Sequence, residues 1–364
     1  MPMARTSRSS LSRRGGSDPT AETPRTLAAA RQCLPPDCRA NPAWKGLLFF
    51  LRDLAIYGIG VAGLASTDSL PLLAALWLLT SLAIAGLFVI AHDAAHGALF
   101  RSNRLSYVVG QLAMLPSLHA YSVWVAGHNR VHHPFAGCEG WDFVWHPSTR
   151  EQYRELSPPA KLRHRFEWSA LGAGAYYIRA VWWARIMRLR ASDKARRQFR
   201  RDRSLVYAYL AGATAALLII GDLRYGHMSG GVWSWFKIFG VPWVLWNYFI
   251  GWAVYVQHIA PDIRWRSRRS WTRFGGQIEC TTMYDVPRWL NFFWHNILLH
   301  VPHHVDPRIP FYALPRGAEA LLREFPDVVR LRPVSWPDYV RTTRRCKLYD
   351  FDRQIWMTYA EAGM

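Results

Sequence analysis

Nine histidines stand in four short runs. "HDAAH" holds His92 and His96, "GHNRVHH" holds His128, His132 and His133, "YVQH" ends on His258, and "HVPHH" holds His300, His303 and His304. Neutral imidazole is a metal ligand, and helical residues four apart lie on one face, one turn from each other. One such pair alone is more often two surface residues, and the scattered His119, His146, His164, His227 and His295 are read as ordinary. Nine in four clusters are more than one four-coordinate zinc can use. A zinc-protease reading, with "HDAAH" as an altered H-E-x-x-H and Asp93 as its base, leaves seven of them idle. Two metal ions sharing nine nitrogens account for all of them. Imidazole suits iron, copper, nickel and zinc alike, so the pattern gives the ion count and leaves the element open.

The elements that must position these groups are visible in the hydropathy. The chain has 364 residues, of which 51% are hydrophobic, with 19 Trp, 17 Phe and 16 Tyr, yet it carries a formal charge of +20. Apolar and basic material are segregated along it. Residues 46–65 are apolar apart from Arg52 and Asp53, which lie near the start, where they would reach the interface. Residues 70–91 carry no charge over a length that exceeds the roughly 20 residues needed to cross a bilayer. Residues 204–221 and 238–257 form two further spans, the last rich in interfacial Trp and Tyr. The expected fold is an all-α membrane protein with four transmembrane helices in two hairpins and a cytoplasmic, histidine-rich cap.

Charge sets the orientation. The connections near 66–69 and 221–231 hold one basic residue, Arg224, whereas "SDKARRQFRRDR" precedes the third span and "RWRSRR" follows the fourth. The positive-inside rule then puts both termini, the middle segment and every histidine cluster on the cytoplasmic side of an integral membrane protein, in a bacterium the cytoplasmic membrane. The net charge is accounted for by topology and anionic lipid, and nucleic acid is excluded as a partner. Residues 1–45 read as a disordered basic tail without a secretory signal, 46–312 as the membrane domain, and 313–364 as a cytoplasmic C-terminal segment. The five cysteines suggest free thiols, not a scaffold. A metal transporter would need polar ligands within the spans, and the histidines lie at one end instead.

The order HDxxH, HxxxHH and late HxxHH, interleaved with two membrane hairpins, resembles the integral-membrane fatty acid desaturases and their hydroxylase relatives. The resemblance runs from about Leu70 to about Tyr312 through "AHDAAHGALF", "GHNRVHHPFAG", "DFVWHP", "YVQH" and "HVPHHVDPRIPFY", the last looking like the acyl-lipid omega-6 (delta-12) branch. It implies a di-iron centre ligated by His92, His96, His128, His132, His133, His258, His300, His303 and His304, with O2 as co-substrate. It also implies a fatty acyl chain, carried on a lipid, coenzyme A or a carrier protein, into which a double bond is placed. The middle box has three residues before its HH pair where many desaturases have two; the longer spacing also occurs in hydroxylases, which makes acyl hydroxylation the alternative outcome.

Asp93, Asp142 and Asp306 lie close to the boxes and are candidates to accept the outer ring N–H of a ligand histidine. Asn296 is placed one helical turn before His300, where it would hold a water near the metal. Trp124, Trp141 and Trp145 are candidates to line an acyl tunnel. The chain has no flavin or dinucleotide fingerprint and no four-cysteine iron–sulfur set, so electrons must come from a separate carrier. Lys194, Arg196, Arg197, Arg200 and Arg201 would suit a small acidic ferredoxin.

Overall fold

The computed structural model describes residues 24–190 and 192–364, and within them the chain is mostly helical. A short helix α1 (Leu27–Gln32) precedes α2 (Ala43–Ser66) and α3 (Leu70–Ala95). Then come α4 (Asn103–Met114), α5 (Tyr121–Gly127), α6 (Arg150–Arg154), α7 (Pro158–Glu167) and α8 (Ala173–Tyr176). The long α9 (Asp193–Tyr225) is followed by α10 (Met228–Trp235) and α11 (Val241–His258), which a π-helical stretch Phe236–Gly240 joins. Beyond these lie α12 (Arg288–Trp294), α13 (His300–Val305), α14 (Leu314–Glu324) and α15 (Trp336–Arg345).

Among the described residues, four helices are long and apolar enough to cross a membrane: Ala43–Ser66, Leu70–Ala95, Asp193–Tyr225 and Met228–His258. Each contains one of the expected spans. Their packing differs in a way composition dictates. From Thr80 to Ala94 α3 is buried on every side, whereas α2 turns Leu48, Leu51, Leu54 and Ile59 outward, as an apolar solvent would require. The two are joined by three residues and lie close together. A Cβ on Gly60 would come within 2.4 Å of Thr80 Oγ1, so the small residue permits the approach. α9 ends at Gly226, whose φ of 74° closes the helix in the left-handed region, and α10 packs back along it. The buried Lys237 fastens the far ends together, its Nζ bonding Asp68 Oδ1 and Thr67 O, each at 2.8 Å.

Several expectations require correction. The fold is not purely α. β1 (Met283–Asp285) pairs in parallel with β2 (Leu331–Pro333), and β3 (Leu348–Asp350) pairs antiparallel with β4 (Ile355–Met357). Residues 24–45 are not a disordered tail. Thr26 caps α1, Arg31 Nε donates to Val305 O at 2.8 Å, and Arg39 Nε donates to Asp306 Oδ2 at 2.6 Å, so this segment is bound to the third histidine box. Residues 1–23 of the expected tail lie outside the described residues. The C-terminal segment packs onto the loop after α11: Tyr349 Oη donates to Trp265 O and Trp356 Nε1 to Ile263 O, both at 2.9 Å. Asp53 does not reach an interface. It is 1% exposed, bonded to Arg52 and His295, and sits opposite Gly86, where a Cβ would meet its Oδ2 at 2.9 Å.

Candidate metal centre

Two helix ends, one π-helical turn and one short helix bring the histidines together. His92 and His96 stand at the C-terminal end of α3, and His258 ends α11. The middle box follows α5 without a break, as a π-helical turn over His128–His132 closed by a hydrogen bond from His133 N–H to His128 O. The wider turn accommodates the extra residue of this box. His128 and His133, five apart, then face each other with Nε2 atoms 3.0 Å apart. The last box is the six-residue helix α13.

The nine rings form two groups. His92, His96, His128, His133 and His303 make one and His132, His258, His300 and His304 the other, and within each all ligand atoms lie within 4.8 Å of one another. This division explains the doubled histidines. Adjacent helical residues point about 100° apart, so an HH pair serves two centres at once. His132 goes to one group and His133 to the other; His304 and His303 divide in the same way. The groups touch where the His133 and His304 rings stack with centroids 4.6 Å apart.

The arrangement fits metal ions. His133 Nε2 lies 3.0 Å from His303 Nε2, and His304 Nε2 lies 3.1 Å from His300 Nε2. That is the separation of neighbouring ligands at right angles around an ion with bonds of about 2.1 Å. Among the described residues, the buried His96 Nε2 and His258 Nε2 have no hydrogen-bond partner, a costly state for polar atoms in a protein interior. Burial, and then repulsion from neighbouring imidazoles, holds His96, His128, His133, His300, His303 and His304 well below the ordinary histidine pKa. They are therefore neutral, the form that ligates.

Outer partners fix several rings. His92 Nδ1 donates to Asp93 Oδ1 at 2.9 Å and His132 Nδ1 to Asp142 Oδ1 at 3.0 Å, which leaves both Nε2 lone pairs facing inward. Asp93 Oδ2 also accepts from Phe311 N–H at 2.6 Å. Burial pushes the Asp142 carboxyl up, but its interactions with His132 and with the Val144 N–H outweigh burial and hold the group below its usual value. His258 Nδ1 donates to Cys280 O at 3.1 Å and His304 Nδ1 to Gln277 Oε1 at 3.0 Å. Gln277 sits in the π-helical turn Gly275–Glu279 and belongs to no motif, so only the fold reveals it.

Two of the proposed outer partners are elsewhere. Asp306 accepts from Arg39 and Arg308 and bonds no histidine. Asn296 is not on a helix with His300; at φ 58° it lies between α12 and α13, bonded to Asn291 and to Phe311 O. Sequence reading also passed over His295. Its Nε2 lies 2.6 Å from Asp53 Oδ2, both side chains only 2% exposed, joining α2 to the approach to α13.

Below the histidines an apolar cavity runs between α3 and α11, walled by Phe88, Trp124, Tyr177, Trp246, Ile250 and Trp294 and reaching His92, His132, His258 and His300. Of the three tryptophans expected there, Trp124 is present. Trp145 instead stacks on Tyr176 at 3.9 Å and Trp141 is 44% exposed. A narrow apolar slot ending at metal-binding groups suits an aliphatic chain.

Comparison with known proteins agrees with this geometry. The family model for fatty acid desaturases matches residues 68–335. The sn-1 oleoyl-lipid 12-desaturase of Picosynechococcus sp. is 28% identical over 317 residues, covering 85% of this chain and 86% of that protein. The Synechocystis sp. protein of the same description is 26% identical over 323 residues, covering 87% of each. The chloroplastic omega-6 fatty acid desaturase of Glycine max is 27% identical over 317 residues, covering 86% of this chain and 70% of the relative. A match across all the histidine boxes, on a helical frame that gathers them into two groups beside an apolar slot, makes the chain an oxidoreductase that belongs to the fatty acid desaturase family.

Proposed function

We propose that the protein is an O2-dependent di-iron desaturase that introduces a double bond into the acyl chain of a membrane lipid. The observation that carries this reading is the division of nine imidazoles into groups of five and four at the end of one apolar cavity. Relatives described as oleoyl-lipid 12-desaturases and omega-6 desaturases support the substrate class. One iron ion would be held by His92, His96, His128, His133 and His303 and the other by His132, His258, His300 and His304. Together they supply the oxidising power that no side chain possesses.

The remaining work belongs to the chain. Asp93 and Asp142 hold His92 and His132 in the tautomer with an inward lone pair, and Gln277 does the same for His304. The apolar walls exclude water and set one carbon pair of the acyl chain below the histidines. Overall, two hydrogens leave adjacent carbons, and with O2, two electrons and two protons they become two molecules of water. The spans form two membrane hairpins with termini and histidines on the cytoplasmic side. An external ferredoxin-type carrier supplies the electrons, docking at Lys194, Arg196, Arg197, Arg200 and Arg201. That surface is anchored near the site because Asp202 accepts from Tyr107 Oη at 2.6 Å and from Ser122 N–H at 3.0 Å, and α5 leads directly to His128.

The test is expression in a host followed by metal analysis and mass spectrometry of total fatty acids. About two irons per chain and an acyl product lighter by two hydrogens are expected. His132→Ala and His303→Ala should abolish product while leaving membrane insertion unchanged. One zinc without iron overturns the metal reading, and an oxygenated product alone replaces desaturation with hydroxylation.

A further inference from the structure

Two depressions on the outer side of α11 share Trp252, Val334 and Ser335 with each other, and the first of them shares Trp294 with the cavity under the histidines. The first is apolar. Leu78 and Leu82 of α3, Phe249 and Trp252 of α11, and Trp289 and Trp294 of α12 line it. Trp294 is also a wall of the histidine-side cavity, so the two spaces meet at this side chain. It is 2% exposed and meets Trp252 edge to face with centroids 5.9 Å apart, and its Nε1–H has no partner among the described residues. Leu78, Trp289 and the adjoining Trp336 lie open on the outer rim, the placement aromatic residues take where hydrocarbon meets headgroups.

The second depression continues from Trp252, Val334 and Ser335 and ends among Arg332, Arg341 and Arg345, with Asp338 the single acid in its lining. Arg341 and Arg345 are one turn apart on α15, and Arg332 comes from β2. Each arginine contacts a carboxylate, Asp262, Asp338 or Glu361, and all three acids are at least one-third exposed. The Arg341–Asp338 and Arg345–Glu361 pairs are exposed and weak, and guanidinium exchanges such a partner readily for the two oxygens of a phosphate.

Resting on the desaturase reading, we propose that this groove is the entry and binding site of a membrane glycerophospholipid. Its anionic phosphate sits on Arg332, Arg341 and Arg345, and its acyl chain passes sideways between α3 and α11, past Trp294, to the histidines. The sequence of surfaces from arginine to tryptophan rim to apolar slot matches the sequence of chemistry along such a lipid. A soluble acyl carrier has no need of an opening with an apolar outer rim.

The experiment is calorimetric titration of the purified, iron-loaded protein in neutral detergent with dioctanoyl phosphatidylglycerol, dioctanoyl phosphatidylcholine, inorganic phosphate and acyl-coenzyme A. Phosphatidylglycerol should bind about tenfold or more tightly than phosphatidylcholine, and inorganic phosphate should bind far more weakly than either. Arg341→Gln/Arg345→Gln should remove that preference, and Val334→Trp, which fills the passage, should weaken binding of both lipids with iron content unchanged. Equal affinity for the two lipids in the parent, or an unaltered preference in the double variant, overturns the headgroup site. Acyl-coenzyme A binding more tightly than phosphatidylglycerol overturns the lipid as occupant, and unchanged binding in Val334→Trp overturns the passage. Because binding is read without turnover, these failures are separate from failure to form a double bond, which would count against the desaturase reading instead.

Discussion

Deleting Arg130 tests whether the π-helical turn is what makes the middle box function. His128 reaches its group only because the turn over 128–132 is wide enough to bring it beside His133. With one residue fewer the segment closes as an ordinary α-turn, and His128 rotates by about 100° about the helix axis. At the outer radius of a helix, about 5.5 Å, that rotation displaces the ring by about 8 Å. The separation from His133 Nε2, on the other side of the deletion, is 3.0 Å, so that contact is lost. Even a lost outer partner typically costs 10–100-fold in metal affinity, and removal of a ligand should cost about 100-fold or more. The deletion variant should therefore retain about one iron instead of two and form no product, and His128→Ala should behave the same way. Iron is measured by plasma emission on purified protein and product by fatty acid analysis of the host. Two irons and undiminished product in the deletion variant would refute both the role of the turn and His128 as a ligand.

Asp53→Ala removes a buried carboxylate and leaves His295 and the quarter-exposed Arg52 without it. A loss of about 3 kcal/mol in stability is expected, with a smaller loss for Asp53→Asn, read as midpoint shifts in thermal unfolding; equal midpoints for parent and Asp53→Ala would show that the Asp53–His295 contact does not stabilise the fold. His164 has its pKa lowered to about 4 by burial and then by the charges of Lys347 and Arg179. Its native form excludes the proton, so stability is full above the unfolded value near 6.5 and falls toward pH 4 by about 1.4 kcal/mol per pH unit. At pH 5 the loss should be about 2 kcal/mol, and His164→Gln should flatten that part of the profile; parallel profiles would be the contrary result. Replacing Arg196, Arg197, Arg200 and Arg201 with Gln should raise the ferredoxin concentration needed for half-maximal turnover and make the rate less sensitive to salt. Superimposable curves would leave these arginines with topology alone.

The parts of the fold legible in the sequence are those governed by local composition. Each of the four expected spans falls inside a helix, because an apolar run of bilayer length has few other ways to satisfy its backbone. What composition could not give was how each helix is used. α2 and α3 are both apolar runs, yet α3 is enclosed by its neighbours from Thr80 to Ala94 while α2 presents leucines outward. The order in residues 24–45 was also invisible. Its Arg and Pro content resembles a tail, and its structure comes from bonds to Val305 and Asp306, more than 260 residues away.

The site divides along the same line. Spacing within a box is a local property, so the nine histidines could be named from the sequence and the structure gathers all of them. Asp93 is adjacent to His92 and Asp142 lies ten residues from His132, and both meet their partners. Asp306 lies just as close, two residues from His304, and does not. It follows the end of α13 with a φ of −142°, which turns its carboxylate toward Arg39 and Arg308 and away from the rings. Proximity along the chain therefore nominates an outer partner, and backbone direction decides whether the nomination holds. Gln277 and His295 show the converse. Neither belongs to a motif, yet Gln277 grips both His304 and the backbone of His133, binding the two HH pairs to one side chain. Since each HH pair feeds both groups, one glutamine at that junction fixes the spacing of the two candidate metal positions, a constraint set by tertiary contact and written in no single stretch of sequence.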